Sequence, residues 1–579
     1  MRVGHASRRR HHRRAGAPGC HGNITEQQVD APGVVQATAV RGSARPMTSA
    51  TAANFGKLAG VAWDAIIVGA GHNGLVAAAY LARAGKRVLV LERQPQAGGA
   101  AITEELFPGF RFSSVAEGTG RLFAHVAADL QLHRHGLKLL PIDPLLTAAL
   151  PNGGCLSFWS DTARTAAEIA RHSKADAARW PDFCAAMQRL AAVVARLMML
   201  IPPALPAPSG RDLMELLKLV APARRLNRKQ LADLVRTLPM PVADMLDEWF
   251  ECDALKAALA VDGVHGVSLG PRQAGTAFVW LLALAAGQVP ALAAASQLQG
   301  GVGALTQALA KAATSLGAQL RLNTSVQQVV VKDGRAAGVV LASGEEISAR
   351  VVISNADPRT TFQRLIDPLE VDPVFLRSTD TIKYRGCTAR MHLALSGVPR
   401  FAFDAAARIR IAPGINYIEQ ASDAAKYGSW SRQPWLDVTL PTLADTTLAP
   451  PGQHVLSIHA QYAPYHLRSQ DWDTQRATLG SAILSTLAQF APDVPQLVLH
   501  SQVLTPLDLE RNYGLPEGSS THGEMTLDQA LHMRPVPDCA QYRTPIQQLY
   551  LCGAGTHPGG GCTGLNGHNA ARQVLRDWG

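Results

Sequence analysis

Residues 63–92 read WDAIIVGAGHNGLVAAAYLARAGKRVLVLE, and the fold is decided there. Ala65–Val68 is a short β-branched run suited to a strand buried on both faces. Gly69-x-Gly71-x-x-Gly74 follows at once, and Leu75 to Ala84 then runs as an Ala-rich helix that Gly85 stops. Arg87–Leu91 is a second buried strand, ending at Glu92. The whole is a βαβ unit of about 30 residues. Gly69 permits the tight turn, Gly71 lets backbone approach a pyrophosphate, and Gly74 lets helix pack on strand. The helix N-terminus offers free N–H groups to the phosphates. Glu92 is placed to accept both hydroxyls of an adenosine ribose and to disfavour a 2′-phosphate. Strand, glycine turn, helix, strand and acid together specify dinucleotide binding far better than the glycines alone.

Outward from this unit, Arg93 to Ala101 (RQPQAGGAA) carries Gly98 and Gly99 just after the acid. Here the chain resembles the glutathione-reductase-like class of flavoproteins, in which such a glycine pair lines FAD. Near the C-terminus, Leu549–Gly555 (LYLCGAG) reads as strand then glycine turn, followed by Thr556–Gly561 and a helix from about Leu565 to Arg576. A helix N-terminus aimed at the cofactor would stabilise negative charge on a reduced flavin.

Taken together, GAGHNGLVAAAYLARAGKRVLVLE, the Gly300–Gly303 turn, His522–Gln529 (HGEMTLDQ) and residues 553–561 (GAGTHPGGG) resemble the phytoene desaturase and carotenoid isomerase group of amine-oxidase-like flavoproteins. The resemblance covers nearly the whole chain from Trp63. It implies an α/β fold: a glutathione-reductase-like, FAD-binding Rossmann domain (parallel sheet plus β-meander) with an interleaved α+β substrate domain. The cofactor is expected to contact Gly69, Gly71, Gly74, Glu92, Arg93, Gly98, Gly99, Val326, Gly553, Gly555, Pro558, Gly559, Gly560 and Gly561, with Asn355-Ala356 at a return of the chain. His522 and His557 fall in the matched segments and are the candidates for contact with substrate or flavin. No catalytic acid or base is otherwise evident.

A chain of 579 residues exceeds a single growing core, so two intimately packed domains are expected. The FAD part is placed at 61–155, 300–360 and 540–579, and the substrate part at 156–299 and 361–539. Between them, Gly303 leads into an amphipathic helix ended by Gly317. Ala318–Lys332, Ala336–Leu341 and Ile347–Ser354 read as a β-meander.

The net charge of +10 is uneven. Residues 1–46 hold eight Arg against Glu26 and Asp30, a balance of +6, which leaves 10 − 6 = +4 for the rest. No basic stripe interleaved with aromatics follows, so nucleic acid is not an expected partner. The head, 1–60, lacks apolar periodicity. It reads as a disordered tail or an upstream start with Met47 the initiator, or as a transit peptide. The bacterial cytoplasm is the expected location, with the mitochondrial matrix implied by the transit reading. Eight cysteines without C-x-x-C argue against a redox-active disulfide, and nineteen histidines without ligand spacing predict no metal. With no second G-x-G-x-x-G, a dedicated NAD(P)H site of the disulfide-reductase type is unsupported.

From Gln273 to Ala310 there is no Asp, Glu, Lys or Arg. Buried substrate-domain helices, a monotopic membrane-dipping face and a true span are the three readings, with Gly275, Gly287 and Pro290 interrupting the last. Leu190–Pro208 is a second candidate for peripheral membrane contact. Function follows as FAD-dependent oxidation of an apolar small molecule, such as a polyene or isoprenoid, by desaturation, saturation or redox-neutral isomerisation. The alternatives are an amine or alcohol oxidase, and an interaction protein whose FAD is structural. Oligomeric state is not legible.

Overall fold

The computed structural model describes residues 63–578, except 117–121, 206–207, 211, 216, 218–227 and 288–295. The Arg-rich head, the transit reading and the Met47 start lie outside the described residues.

Two seven-stranded sheets organise the described chain. In the first, Trp63–Val68 lies between Val88–Leu91 and Glu346–Ser354, parallel to both. Side chains alternate between two cores. Ala65, Ile67, Val88, Val90 and Ile353 face the helices His72–Arg83, Val302–Ser315 and Leu565–Trp578. Ile66, Val68, Leu89, Leu91 and Val352 face the other way, against Phe362, Phe375 and Tyr384. A strand covered on both sides must be apolar throughout, which is why these runs carry no period-two pattern.

Glu346–Ser354 serves two partners along one edge. Its first half pairs antiparallel with Arg335–Leu341, and its last three residues pair parallel with Leu549–Leu551. One long strand thus joins the meander to the parallel sheet. The meander expected from Ala318 is shorter than that. Gln319–Arg321 is instead a parallel edge strand beside Val88–Leu91, and the antiparallel ladder begins at Val326. The break has a physical cause: Asn323 N donates to the Gln94 carbonyl and Thr324 N to that of Glu92, so the chain is bent around the acid.

The second sheet runs in the order Val498–Leu504, Thr388–Leu395, His454–Gln461, Trp435–Thr439, Arg408–Ile411, Leu146–Ala149, Cys155–Phe158. One face is apolar and covered by Trp472–Ala488. On the other, register places Arg390, His459, Asp437 and Arg410 side by side across four strands. The hairpin of 146–149 and 155–158, held by Leu146↔Phe158, belongs to the second sheet. Residues 358–384 pack their aromatics under the first sheet.

The charge-free stretch from Gln273 resolves into Thr276–Ala285, ten residues bounded by Gly275 and Gly287 at φ 84 and 72, with Ser296–Leu298 and Val302–Ser315 beyond. Among the described residues no helix is long and apolar enough to cross a membrane.

Candidate functional site

A cavity of about 910 Å³ opens where the two central strands of the first sheet end. Such a volume is at the upper end for small-molecule sites and fits an extended ligand. Val68, Gly69 and Gly71 line one side, Glu92 and Arg93 the end of the next strand, and Gly98 and Gly99 the return. Gly69 and Gly99 hold positive φ (98 and 60), and a Cβ on Gly71 would come within 2.7 Å of the Asn355 amide nitrogen. Gly74 lies behind the wall, where a Cβ would collide with the carbonyl oxygen of Gly69. Glu92 is buried, with Oε2 accepting from Ala70 N at 2.7 Å and Oε1 from Gln94 N at 2.9 Å. Thr324, Ser325 and Val326 continue the rim, and Asn355, Ala356 and Asp357 close it from the long strand. Backbone without Cβ atoms, a helix N-terminus and a fixed carboxylate form the cradle that a dinucleotide requires.

A second cavity of about 160 Å³ adjoins it. His72, Ala100, Ser520 and Ala554 line both. Its walls are mainly apolar: Val115, Met198, Val279, Leu282, Ala283, Leu509 and Met525. Polar groups gather where the second sheet roofs it, with Asp262, His265, Thr388, Arg390 and His459. Asp262 is committed to the buried Arg410 at 2.9 and 3.1 Å, which also bonds Asp437 at 3.0 Å. His265 stacks on His459 at 4.0 Å between ring centroids, and His459 on Trp435 at 5.3 Å. Gln461 braces this stack, accepting from Gly266 N at 2.7 Å and meeting His459 Nε2 at 3.1 Å.

The C-terminal glycine segment is split between roles. Gly560 and Gly561 line the smaller cavity, and Ala554 both. Gly553, Gly555, Pro558 and Gly559 stand behind this wall. Gly553 abuts the Asn355 carbonyl and Gly555 the Pro358 ring, each too close for a Cβ. Asn566 ties the segment down by donating to the carbonyls of Gly553 and Thr556. Within the helix that follows, Gly567 lies so close to the Asn73 carbonyl that a Cβ would collide.

Of the two candidate histidines, His522 lines the large cavity in a left-handed conformation (φ 52), its buried Nδ1 without a hydrogen-bond partner among the described residues. Burial first, then Arg534, pull its pKa below the ordinary imidazole value, against Asp357. His557 is turned the other way. Its Nε2 meets the Leu197 carbonyl at 2.8 Å and its own carbonyl accepts from the Tyr542 hydroxyl, so it braces the loop and lines neither cavity. Burial pushes its pKa down to about 4.

Comparison with known proteins adds the family. Flavin containing amine oxidoreductase is the family matched, over residues 74–575. The chain belongs to that family. Its cofactor is FAD, and it is an FAD-dependent oxidoreductase. It is 37% identical over 549 residues to "pyridine nucleotide-disulfide oxidoreductase domain-containing protein 2" of Rattus norvegicus, covering 89% of this chain and 94% of the relative. A limonene dehydrogenase component from Castellaniella defragrans is 28% identical, at 89% and 95% coverage. A phytoene desaturase (neurosporene-forming) of Rhodobacter capsulatus is 26% identical, at 87% and 92%. Among solved structures, a putrescine oxidase superposes with a TM-score of 0.57 at 16% identity, covering 90% of this chain and 99% of that one, and shows the shared fold. The expected architecture, an FAD-binding Rossmann sheet with its meander and an interleaved second sheet, is the one found.

Several functional residues escaped sequence reasoning. His72 sits inside the glycine motif as the first residue of the helix and lines both cavities. Its position was a usable signal, because a side chain there must face whatever the turn binds. Asp262, His265 and His459 gave none, since a helix end, a loop and a strand are brought together only by the second sheet. Arg534 gave none either.

Proposed function

We propose that the protein oxidises or isomerises an apolar, isoprenoid-type small molecule by hydride exchange with FAD. The carrying observation is the smaller cavity: an apolar chamber whose shared wall with the dinucleotide cavity is formed by His72, Ala100, Ser520 and Ala554. Limonene dehydrogenase and phytoene desaturase among the relatives support a hydrocarbon substrate.

FAD supplies a two-electron acceptor for a hydride leaving a substrate C–H bond. Gly69, Gly71, Glu92, Gly98, Gly99 and Val326 would hold the dinucleotide, and Ala554, Gly560 and Gly561 shape the wall between the chambers. Met198, Val279, Leu282 and Met525 exclude water and orient the apolar body. Desaturation would require an external oxidant such as a quinone or dioxygen, and isomerisation would not.

The test is anaerobic mixing of the FAD-loaded protein with limonene, phytoene and neurosporene, followed through the long-wavelength flavin band, with product analysis. Bleaching by one of them, or its isomerisation, is the expected result. No bleaching or turnover with any apolar substrate, together with hydrogen peroxide from an amine or alcohol, would establish the second reading. That reading is favoured by the polar roof of His265, Thr388, Arg390 and His459.

We extend the proposal to a peripheral membrane contact for a protein of the cytoplasm. In its support, Leu205, Leu213, Met214 and Leu217 are more than half exposed, and Leu231 and Val235, one helical turn apart, also project into solvent. Cosedimentation with vesicles containing anionic lipid checks it.

A further inference from the structure

Arg534 is buried, and both terminal nitrogens of its guanidinium are spent on backbone carbonyls. Nη1 donates to Glu524 O at 3.1 Å and Gln529 O at 3.2 Å. Nη2 donates to Thr521 O at 2.7 Å, Gly523 O at 3.0 Å and Ala554 O at 3.0 Å. Two segments far apart in sequence are thus drawn onto one side chain. Both border the junction of the two cavities: His522 and Ser520 on one segment, Ala554 on the other.

A neutral donor set could serve carbonyls, yet the residue is a cation, and among the described residues no carboxylate forms an ion pair with it. The nearby Glu524 turns away, to Ser268 N at 2.7 Å and to Arg385 at 3.9 Å. Asp357 is engaged by Tyr384 at 3.0 Å and by the N-terminus of its own helix. Burying a charge against carbonyl dipoles alone is costly. His522, on the large cavity, and His557, in the loop behind it, are both held below the ordinary imidazole value, by burial first and then in part by this same charge. Among the described residues the Nε of Arg534 has no hydrogen-bond partner, and it would lie 3.3 Å from a Cβ on Gly559.

We propose that Arg534 is a positioning residue that seats the 521–529 and 554–561 segments against FAD and, by its uncompensated charge behind Ala554, favours negative charge on the flavin ring. In a water-poor interior, an unpaired cation acts over longer range than it would in solvent. The inference rests on FAD in the large cavity and is independent of the substrate's identity.

Sulfite is the probe, since it adds reversibly to oxidised flavin and leaves negative charge on the ring. The wild-type protein is expected to form the adduct and to give an anionic semiquinone on photoreduction. Arg534→Lys keeps the charge and loses the planar fork, and Arg534→Gln loses the charge. Sulfite affinity is expected to stay within a few-fold in Arg534→Lys and to weaken about tenfold or more in Arg534→Gln, with a lower flavin midpoint potential. Absence of a wild-type adduct together with a neutral semiquinone overturns the proposal, even if Arg534→Gln fails to fold. Equal sulfite affinity in wild type and a folded, FAD-loaded Arg534→Gln also overturns the electrostatic role and leaves only a brace. Failure of the wild type to bind FAD at all is a different result, visible in its absorbance, and would strike the cofactor assignment instead.

Discussion

The carboxylate of Glu92 accepts the backbone N–H of Ala70 at 2.7 Å, so the acid ending one strand is fastened to the glycine turn ending its neighbour. Two signals separated by 21 intervening residues are therefore one device: the turn orients the acid, and the acid satisfies a turn amide. The other oxygen is held by Gln94 N, in the bend that also receives Thr324.

Glu92→Gln should retain the fold and weaken FAD binding by about tenfold to a hundredfold, the range for a charge-assisted hydrogen bond. Glu92→Ala should lose more, because the Ala70 amide is then left buried without a partner. Fluorescence titration of the apoprotein with FAD measures both.

Gly74→Ala and Gly71→Ala should separate fold from cofactor. The first drives a methyl into the Gly69 carbonyl and within 3.2 Å of the Asn355 side chain, and should destabilise the apoprotein by about 1–3 kcal/mol. The second meets only the movable Asn355 amide, at a backbone conformation (φ −65) open to alanine. Its cost should fall on FAD affinity, not on the apoprotein's unfolding midpoint.

Acid should destabilise the protein well before its carboxylates titrate. Burial holds the pKa of His72, His392, His557 and His568 down to about 4, against an ordinary value of 6.5. As pH falls from 6.5, the unfolded chain takes up protons at these sites that the folded chain refuses until about 4, so stability is present at neutral pH and drains across that window. Urea midpoints at about pH 7.5 and about pH 5 should show the drop, and His568→Gln, which removes one such site, should lessen it.

His522 and His557 should part company on substitution. His522→Asn, at the wall of the large cavity, should shift the flavin spectrum and FAD affinity with little change in apoprotein stability. His557→Asn removes the buried contact to Leu197 and should lower the unfolding free energy by about 1–3 kcal/mol, leaving the spectrum of the remaining holoprotein unchanged.

Local signals carried the sequence reading furthest. Between Trp63 and Glu92 every step depends on near neighbours: a buried strand, a turn that only glycine permits, a helix and a terminal acid. The unit therefore forms as its spacing predicts, with its strands paired in parallel from Ala65↔Val88 to Val68↔Leu91. The Leu549–Leu551 strand and the helix from Leu565 followed for the same reason.

Tertiary structure alone decided what non-local packing controls. Gln319–Arg321 left the meander because Glu92 bends the chain after it, and Leu146–Ala149 joined the second sheet because its hairpin partner and Arg408–Ile411 claim it. The smaller cavity draws Met198, Asp262, Val279, Arg390, His459 and Met525 from across the chain, and Arg534 joins carbonyls from 521 to 554. A dinucleotide cradle is legible because backbone conformation and adjacent residues build it. The smaller cavity is not, because its walls meet only when two sheets and their helices bury their faces together.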